Sequence, residues 1–249
     1  MTVVLFLNDK ATNISELFLN ENWNVAPLSK DINNIYSIIV NNKKINWIVK
    51  IYKKSIYAQI ESKLLTRLEK VPNVPKLLAS SFSNNLNFVI MSRVSGIDLF
   101  EYVNSYGQFK ENELKPIVKK LLQILADIHA CGVIHQDIKP ENIVYDEASK
   151  DVNLIDFECK RTARYNSPEQ RRKQKLTTYT DIYSLGITIY NLLTDKFPTK
   201  RNGRYHFPAN WSKNLVNLLE NFLDEEPIAR YRAVEALNHE WFNSLLVKS

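Results

Sequence analysis

Between Trp23 and Tyr52, β-branched and aromatic residues are interrupted by asparagine pairs, a pattern that predicts three strands. Asn41-Asn42 reads as the turn between the second and the third, and the third runs from Ile45 to Tyr52. Val74–Leu78 and Leu86–Met91 read as two further strands. Helical spacing appears at Ile60, Leu64, Leu65 and Leu68. It returns from Leu114 to Ala130, where apolar positions 117, 118, 121, 122, 125 and 128 mark an amphipathic helix despite Pro116 near its start. Ahead of the strands, Asn13 and Glu16 form a capping-box pattern for a short helix over residues 13–20, within an extension covering 1–22.

Composition narrows the picture only a little. With 249 residues, 45% of them hydrophobic, the chain can build one large domain or two lobes sharing a cleft. The N-terminal apolar run Val3–Leu7 is too short for a signal peptide, no stretch reaches bilayer-spanning length, and a soluble intracellular protein is expected. Cys131 and Cys159 leave little room for a disulfide framework, so free thiols in a reducing compartment are expected. The net charge of +6 is a mild bias towards acidic partners. Its densest part, Lys160, Arg161, Arg164, Arg171, Arg172, Lys173 and Lys175, reads as a solvated face in preference to an anion-binding patch. Internal repeats and low-complexity linkers are absent from the sequence.

Chemistry concentrates in the stretch Val133–Val144, where two apolar runs bracket a polar cluster containing Asp137, Lys139 and Asn142. A carboxylate, an ammonium and an amide on one short loop suit phosphoryl transfer: the first orients an attacking hydroxyl, the second offsets charge, the third holds a metal. Lys50 lies on an otherwise apolar strand, which alone would mean only that it points to solvent. Eleven residues later Glu61 flanks the apolar helical stripe, within reach of it. A further strand, Val152–Ile155, ends in Asp156-Phe157-Glu158.

His135-Gln136-Asp137-Ile138-Lys139-Pro140-Glu141-Asn142 closely resembles the catalytic loop H-R-D-x-K-x-x-N of eukaryotic-type Ser/Thr protein kinases. Other motifs follow in the family's order. Asp156-Phe157-Glu158 is similar to the metal-binding D-F-G, and Thr162–Glu169 to the T-x-x-Y-x-A-P-E that closes an activation segment. Asp181–Gly186 is similar to D-x-W-S-L-G, and Leu237–Phe242 to L-x-H-x-W-F, which makes His239 a packing or capping residue. Asp98–Tyr102 also resembles the small protein kinases of baculoviruses.

The resemblance covers residues 23 to 243 and implies an α+β, bilobal protein kinase-like fold. It divides the chain into a small β-rich N-lobe over 23–91, a hinge over 92–97 and a larger helical C-lobe over 98–249. By the same resemblance ATP and Mg2+ are the cofactors. Asp137 handles the substrate hydroxyl, Lys139 stabilises transferred charge and favours Ser/Thr over Tyr, and Asn142 and Asp156 hold magnesium. Lys50, paired with Glu61, holds the α- and β-phosphates. Met91 backs the adenine pocket, Arg93 and Val94 offer backbone hydrogen bonds, and Asp98 reaches the ribose. Arg230 matches the arginine that pairs with the A-P-E glutamate, here Glu169.

The chain departs from the family at identifiable places. With Leu28 opening the glycine-rich loop, Ser29, Asp31 and Asn34 stand where three glycines belong. At a dielectric of about 20, the Asp31 charge at roughly 6 Å from a phosphate would cost about 3 kcal/mol before solvent screening. Weaker nucleotide binding, or a loop that binds differently, is expected. Glu158 in place of glycine reads as an extra ligand, a repulsion towards phosphate, or a stiffened joint. Gln136 replaces the arginine that pairs with a phosphorylated activation segment, and the segment is short, so no activating phosphate is expected.

Three readings follow. The first is an active Ser/Thr kinase, since all six of Lys50, Glu61, Asp137, Lys139, Asn142 and Asp156 are retained. The second is a pseudokinase scaffold, suggested by the glycine-free loop and Glu158. The third, direct nucleic-acid binding, lacks aromatics interleaved with the basic cluster. Asp98, Glu101 and Glu141 suit a basic Ser/Thr-containing substrate, by analogy a viral DNA-packaging protein, in the cytoplasm or nucleus of a host cell.

Overall fold

The computed structural model of the protein describes residues 23–27, 35–40, 43–82 and 87–243. The short helix expected over 13–20 and the Asn41-Asn42 turn lie outside these residues. So does the loop carrying Leu28, Ser29, Asp31 and Asn34. Among the described residues the chain forms two units: one of 23–70 and Pro75–Val94, the other of Val71–Val74 and 95–243.

The first unit is an antiparallel sheet of β1 (Trp23–Pro27), β2 (Ile35–Val40), β3 (Lys43–Tyr52), β4 (Leu77–Phe82) and β5 (Asn87–Ser92) in the order β1-β2-β3-β5-β4. Helix α1 (Ser55–Arg67) packs against β3, β4 and β5 and buries Ala58 and Leu65, and Val49, Phe88 and Ile90 are buried in the same unit. Lys50 sits in register between Ile35 on β2 and Val89 on β5, so the strand holding it is paired on both sides. The fourth strand starts at Leu77, three residues later than the expected Val74. Pro75 has no N–H for a ladder, and Asn73 turns into the left-handed region at φ 59°. The strand instead continues through Ser80 and Ser81, whose polarity hides it. Ser80 Oγ is satisfied by Ser62 Oγ of α1 at 3.0 Å.

The second unit pairs a small sheet, β6 (Ile97–Asp98), β7 (Ile143–Asp146) and β8 (Asp151–Leu154), with a set of helices. These are α2 (Leu99–Tyr106), α3 (Glu111–Ala130), α4 (Pro168–Arg171), α5 (Tyr179–Thr194), α6 (Lys213–Phe222), α7 (Ala233–Ala236) and α8 (Glu240–Asn243). Helix α3 starts three residues before the expected Leu114, because the Glu113 side chain accepts from the Lys110 N–H at 2.9 Å and extends the first turn ahead of Pro116. Helix α5 is buried continuously from Thr180 to Ile189, its polar Thr180, Asp181, Ser184 and Thr188 included. Gly186 permits this packing: a Cβ there would lie 2.9 Å from the Leu223 side chain. A hairpin of β9 (Lys200–Arg201) and β10 (Arg204–Tyr205) closes on Asn202 and Gly203, both at positive φ, the geometry of a type I′ turn.

Candidate active site

Helix α3 ends at Cys131, and the chain then runs into the loop 133–142, which has no ladder of its own. Buried Asp181 in the first turn of α5 holds it instead. One Asp181 oxygen accepts from the His135 N–H at 2.9 Å and the other from the Gln136 N–H at 2.8 Å. The first oxygen also pairs with His129 Nε2 at 2.8 Å. The Gln136 carbonyl accepts from Gln170 Nε2 at 2.8 Å. With both its backbone groups fixed, Gln136 is kept at φ 72°, a strained position for a residue with a Cβ. The Asp137 N–H donates to His135 Nδ1 at 3.3 Å, so Nε2 carries the proton donated to the Ile155 carbonyl at 2.9 Å. The loop is thereby tied to the segment bearing Asp156.

Asp137 is 2% exposed, and its carboxylate is aimed by three donors. Oδ1 accepts from the Thr162 N–H at 2.9 Å, while Oδ2 meets Lys139 Nζ at 3.0 Å and Asn142 Nδ2 at 3.2 Å. Lys139 Nζ also donates to Thr162 Oγ1 at 2.8 Å, so Thr162 clamps the acid and the cation together. Asn142 Nδ2 further donates to the Asp137 carbonyl at 2.8 Å. This leaves the Asn142 side-chain oxygen as the acceptor open to a cation.

Asp156 lies just beyond β8 at φ 71°, like Gln136 a non-glycine residue in the left-handed region. It is held by its neighbour: the Ile155 N–H donates to the Asn142 carbonyl at 2.9 Å, and the Ile155 carbonyl receives His135. Among the described residues no three His, Cys, Asp or Glu side chains converge as a metal cage. Asn142 and Asp156 are the residues that would hold a cation here, and both are hard oxygen donors. That donor set fits magnesium, which keeps water and substrate phosphates in its shell. Glu158 is 2% exposed and ion-paired with Lys160. Its charge is thus offset locally, which weakens the repulsive reading.

In the first unit, Lys50 Nζ lies 3.3 Å from Glu61 Oε2, with side chains 11% and 1% exposed. Lys50 also sits 5.4 Å over the Tyr52 ring. Met91 is buried, in register with Ile48. The Arg93 N–H donates to the Asn46 carbonyl at 2.8 Å, so Arg93 can offer a ligand its carbonyl but not its amide. Val94 ends this unit and is half-buried. In the second unit, Asp98 Oδ1 caps α2 through the Glu101 N–H at 2.8 Å, a helix-capping duty that sequence reading did not foresee.

Behind the loop, Arg230 Nη1 and Nη2 donate to the two oxygens of Glu169 at 2.8 and 3.0 Å, and Thr180 Oγ1 adds a bond at 3.0 Å. Burial pushes the Glu169 carboxyl up, but the Arg230 hydrogen bonds and charge, with a backbone bond and Ser167, together outweigh it and hold the group below its ordinary value. His239 Nδ1 accepts from the Trp241 N–H at 3.2 Å, a cap at the last helix. The backbone-holding duties of Asp181 and Gln170 were missed in the sequence. Only the position of Asp181 at the head of an apolar helix hinted at one of them.

Loop, strand-borne lysine and buried helix agree with one family. The model of the protein kinase domain matches residues 29–242, and the chain belongs to that family. It is 28% identical over 248 aligned residues to 3-phosphoinositide-dependent protein kinase B of Dictyostelium discoideum, covering 88% of this chain and 27% of that protein. It is 27% identical over 222 residues to CBL-interacting serine/threonine-protein kinase 3 of Arabidopsis thaliana, covering 78% of this chain and 50% of that one. The chain thus spans 27% to 50% of the length of these curated relatives. The structure of the Cydia pomonella granulovirus kinase PK-1 shares its fold, with a TM-score of 0.76 at 22% identity, over 89% of this chain and 95% of the other.

Proposed function

We propose that the protein is an ATP- and Mg2+-dependent Ser/Thr protein kinase. The observation that carries this reading is the Asp137 carboxylate, buried and aimed by Thr162, Lys139 and Asn142. A serine or threonine hydroxyl placed against Asp137 attacks the γ-phosphorus. Its proton passes to the carboxylate, the bond from phosphorus to the bridging oxygen breaks, and ADP leaves with that oxygen's charge. Lys139 offsets charge on the group in transit. When bound, magnesium neutralises phosphate charge, with Asn142 and Asp156 as its protein ligands. Lys50, oriented by Glu61, binds the α- and β-phosphates.

Activity independent of an activating phosphate is part of the proposal. The hydroxyls of the segment are already engaged: Thr162 by Lys139, Tyr165 with Asn191 at 3.3 Å, Ser167 by the Gln170 N–H at 3.3 Å. At the position where the family places its phosphate-pairing arginine, Gln136 Oε1 instead accepts from Arg161 Nη2 at 3.4 Å. The alternative, a non-catalytic scaffold, rests on Ser29, Asp31 and Asn34 in place of the loop glycines and on Glu158 in place of another; the Lys160 pair counts against the second ground alone.

The preferred substrate is a basic protein, for which a DNA-packaging protein is the natural candidate. The carboxylates of Asp98, Glu101 and Glu141 support this as acceptors for cationic side chains near the target hydroxyl. Neither Cys131 nor Cys159 is in a disulfide, which suits an intracellular setting, and among the described residues no helix is long and apolar enough to cross a membrane. Radiolabelled ATP offered with a basic and an acidic acceptor protein tests the reading. Label on serine or threonine of the basic acceptor supports it; label on neither, or on the acidic one alone, contradicts it.

A further inference from the structure

The second unit carries a basic surface that the phosphoryl-transfer chemistry does not use. A hollow of about 360 Å³ lies beside α4, with Pro168 and Pro198 in its wall. Three cations, Arg171, Arg172 and Lys200, face it against one carboxylate, Glu225. Glu225 shows how the hollow treats such a group: Arg172 Nη2 holds one oxygen at 3.2 Å and Lys200 Nζ the other. Hydrogen bonding from Lys200 keeps the Glu225 carboxyl below its ordinary value. Arg171 donates one N–H to the Tyr183 hydroxyl at 3.0 Å, and Lys200 lies 4.6 Å over the Tyr205 ring, so two cations are oriented by their surroundings.

The β9–β10 hairpin extends the charge beyond the hollow. Its type I′ turn sets Arg201 directly opposite Arg204, both exposed, and among the described residues neither has an acidic partner. Like charges across a strand pair destabilise it, so folding alone gives no reason for this placement.

The geometry points to a docking site for an acidic peptide segment of a protein partner, its carboxylates entering the hollow beside Glu225 and its continuation lying along Arg201 and Arg204. A carboxylate-bearing peptide is the occupant because a carboxylate is what Arg172 and Lys200 already hold. The hollow selects the charge opposite to that of the proposed basic substrate, and a binding test of it does not depend on kinase activity.

Fluorescence anisotropy of a labelled oligoglutamate peptide with the full chain tests it. Reversing both hairpin arginines, Arg201→Glu with Arg204→Glu, weakens binding about tenfold or more, whereas Lys119→Glu, an exposed cation on α3, leaves it within about twofold. Glu225→Gln removes the resident competitor and tightens binding about threefold, a direction that loss of structure would not produce. The hairpin substitutions touch no buried group, and an unchanged melting temperature establishes that the variant folds. The proposal is overturned if the hairpin reversal binds as the wild type does, or if Glu225→Gln weakens binding. It is equally overturned if duplex DNA of matched charge displaces the peptide and binds more tightly through the same arginines, since the surface would then read nucleic acid.

Discussion

Thr162 closes on Asp137 with its backbone and on Lys139 with its hydroxyl, at 2.9 and 2.8 Å, so one residue of the activation segment fixes both charged groups of the catalytic loop. Thr162→Val keeps the backbone bond and the β-branch but removes one of the ammonium's two partners and leaves it only Asp137 Oδ2. We expect kcat to fall about tenfold with KM for ATP within about twofold, and Thr162→Ser to retain most activity. Steady-state kinetics of the two variants separate the hydroxyl from the fold.

Lys50 and Glu61 form a nearly buried pair in the first unit. Lys50→Met is expected to lower kcat/KM for ATP about 100-fold, and Glu61→Gln, which leaves the cation in place but less firmly aimed, about tenfold. Equal losses from the two would mean that the pair matters only as structure.

The segment hydroxyls are engaged within the protein, so phosphatase treatment should leave the rate within about twofold. Gln136→Arg should bring no gain, since it adds a cation with no phosphate to meet. Intact mass before and after treatment, read beside the rate, decides the point.

Arg230→Ala strands the Glu169 carboxylate in a buried setting and is expected to destabilise the protein by about 3–5 kcal/mol in denaturant unfolding. The pH dependence has a definite sign. In the wild type the folded carboxyl lies below its ordinary value of 4.5, so its contribution is present above that value and lost as pH falls below it. In the variant, burial without Arg230 raises the folded value above the unfolded one. Its deficit against the wild type should therefore narrow in acid.

How far the sequence could be read depended on distance along the chain and on the kind of group involved. Asp137, Lys139 and Asn142 lie within six residues, and their types name their chemistry. The Lys50–Glu61 pair was legible because helical periodicity set the face that Glu61 flanks. Asp181 was not, because its duty is to backbone N–H groups more than 40 residues away, and no side-chain pattern reports those. The start of β4 is hidden because apolar Val74 and Leu77 flank Pro75, which has no N–H for a ladder, while Ser80 of the strand bonds Ser62 of α1. The burial of Glu158 ran against its charge and emerged only with Lys160 beside it.

The central claim is that Asp137 acts on the substrate hydroxyl while other residues hold the nucleotide. Single-turnover transfer of label from ATP to a basic acceptor, wild type against Asp137→Asn, tests it most directly when nucleotide affinity is measured on the same samples. Equal Mg-ATP binding and at least about a 100-fold loss of transfer in the variant are expected. Transfer surviving in Asp137→Asn, or absent from a wild type that binds Mg-ATP, would contradict it.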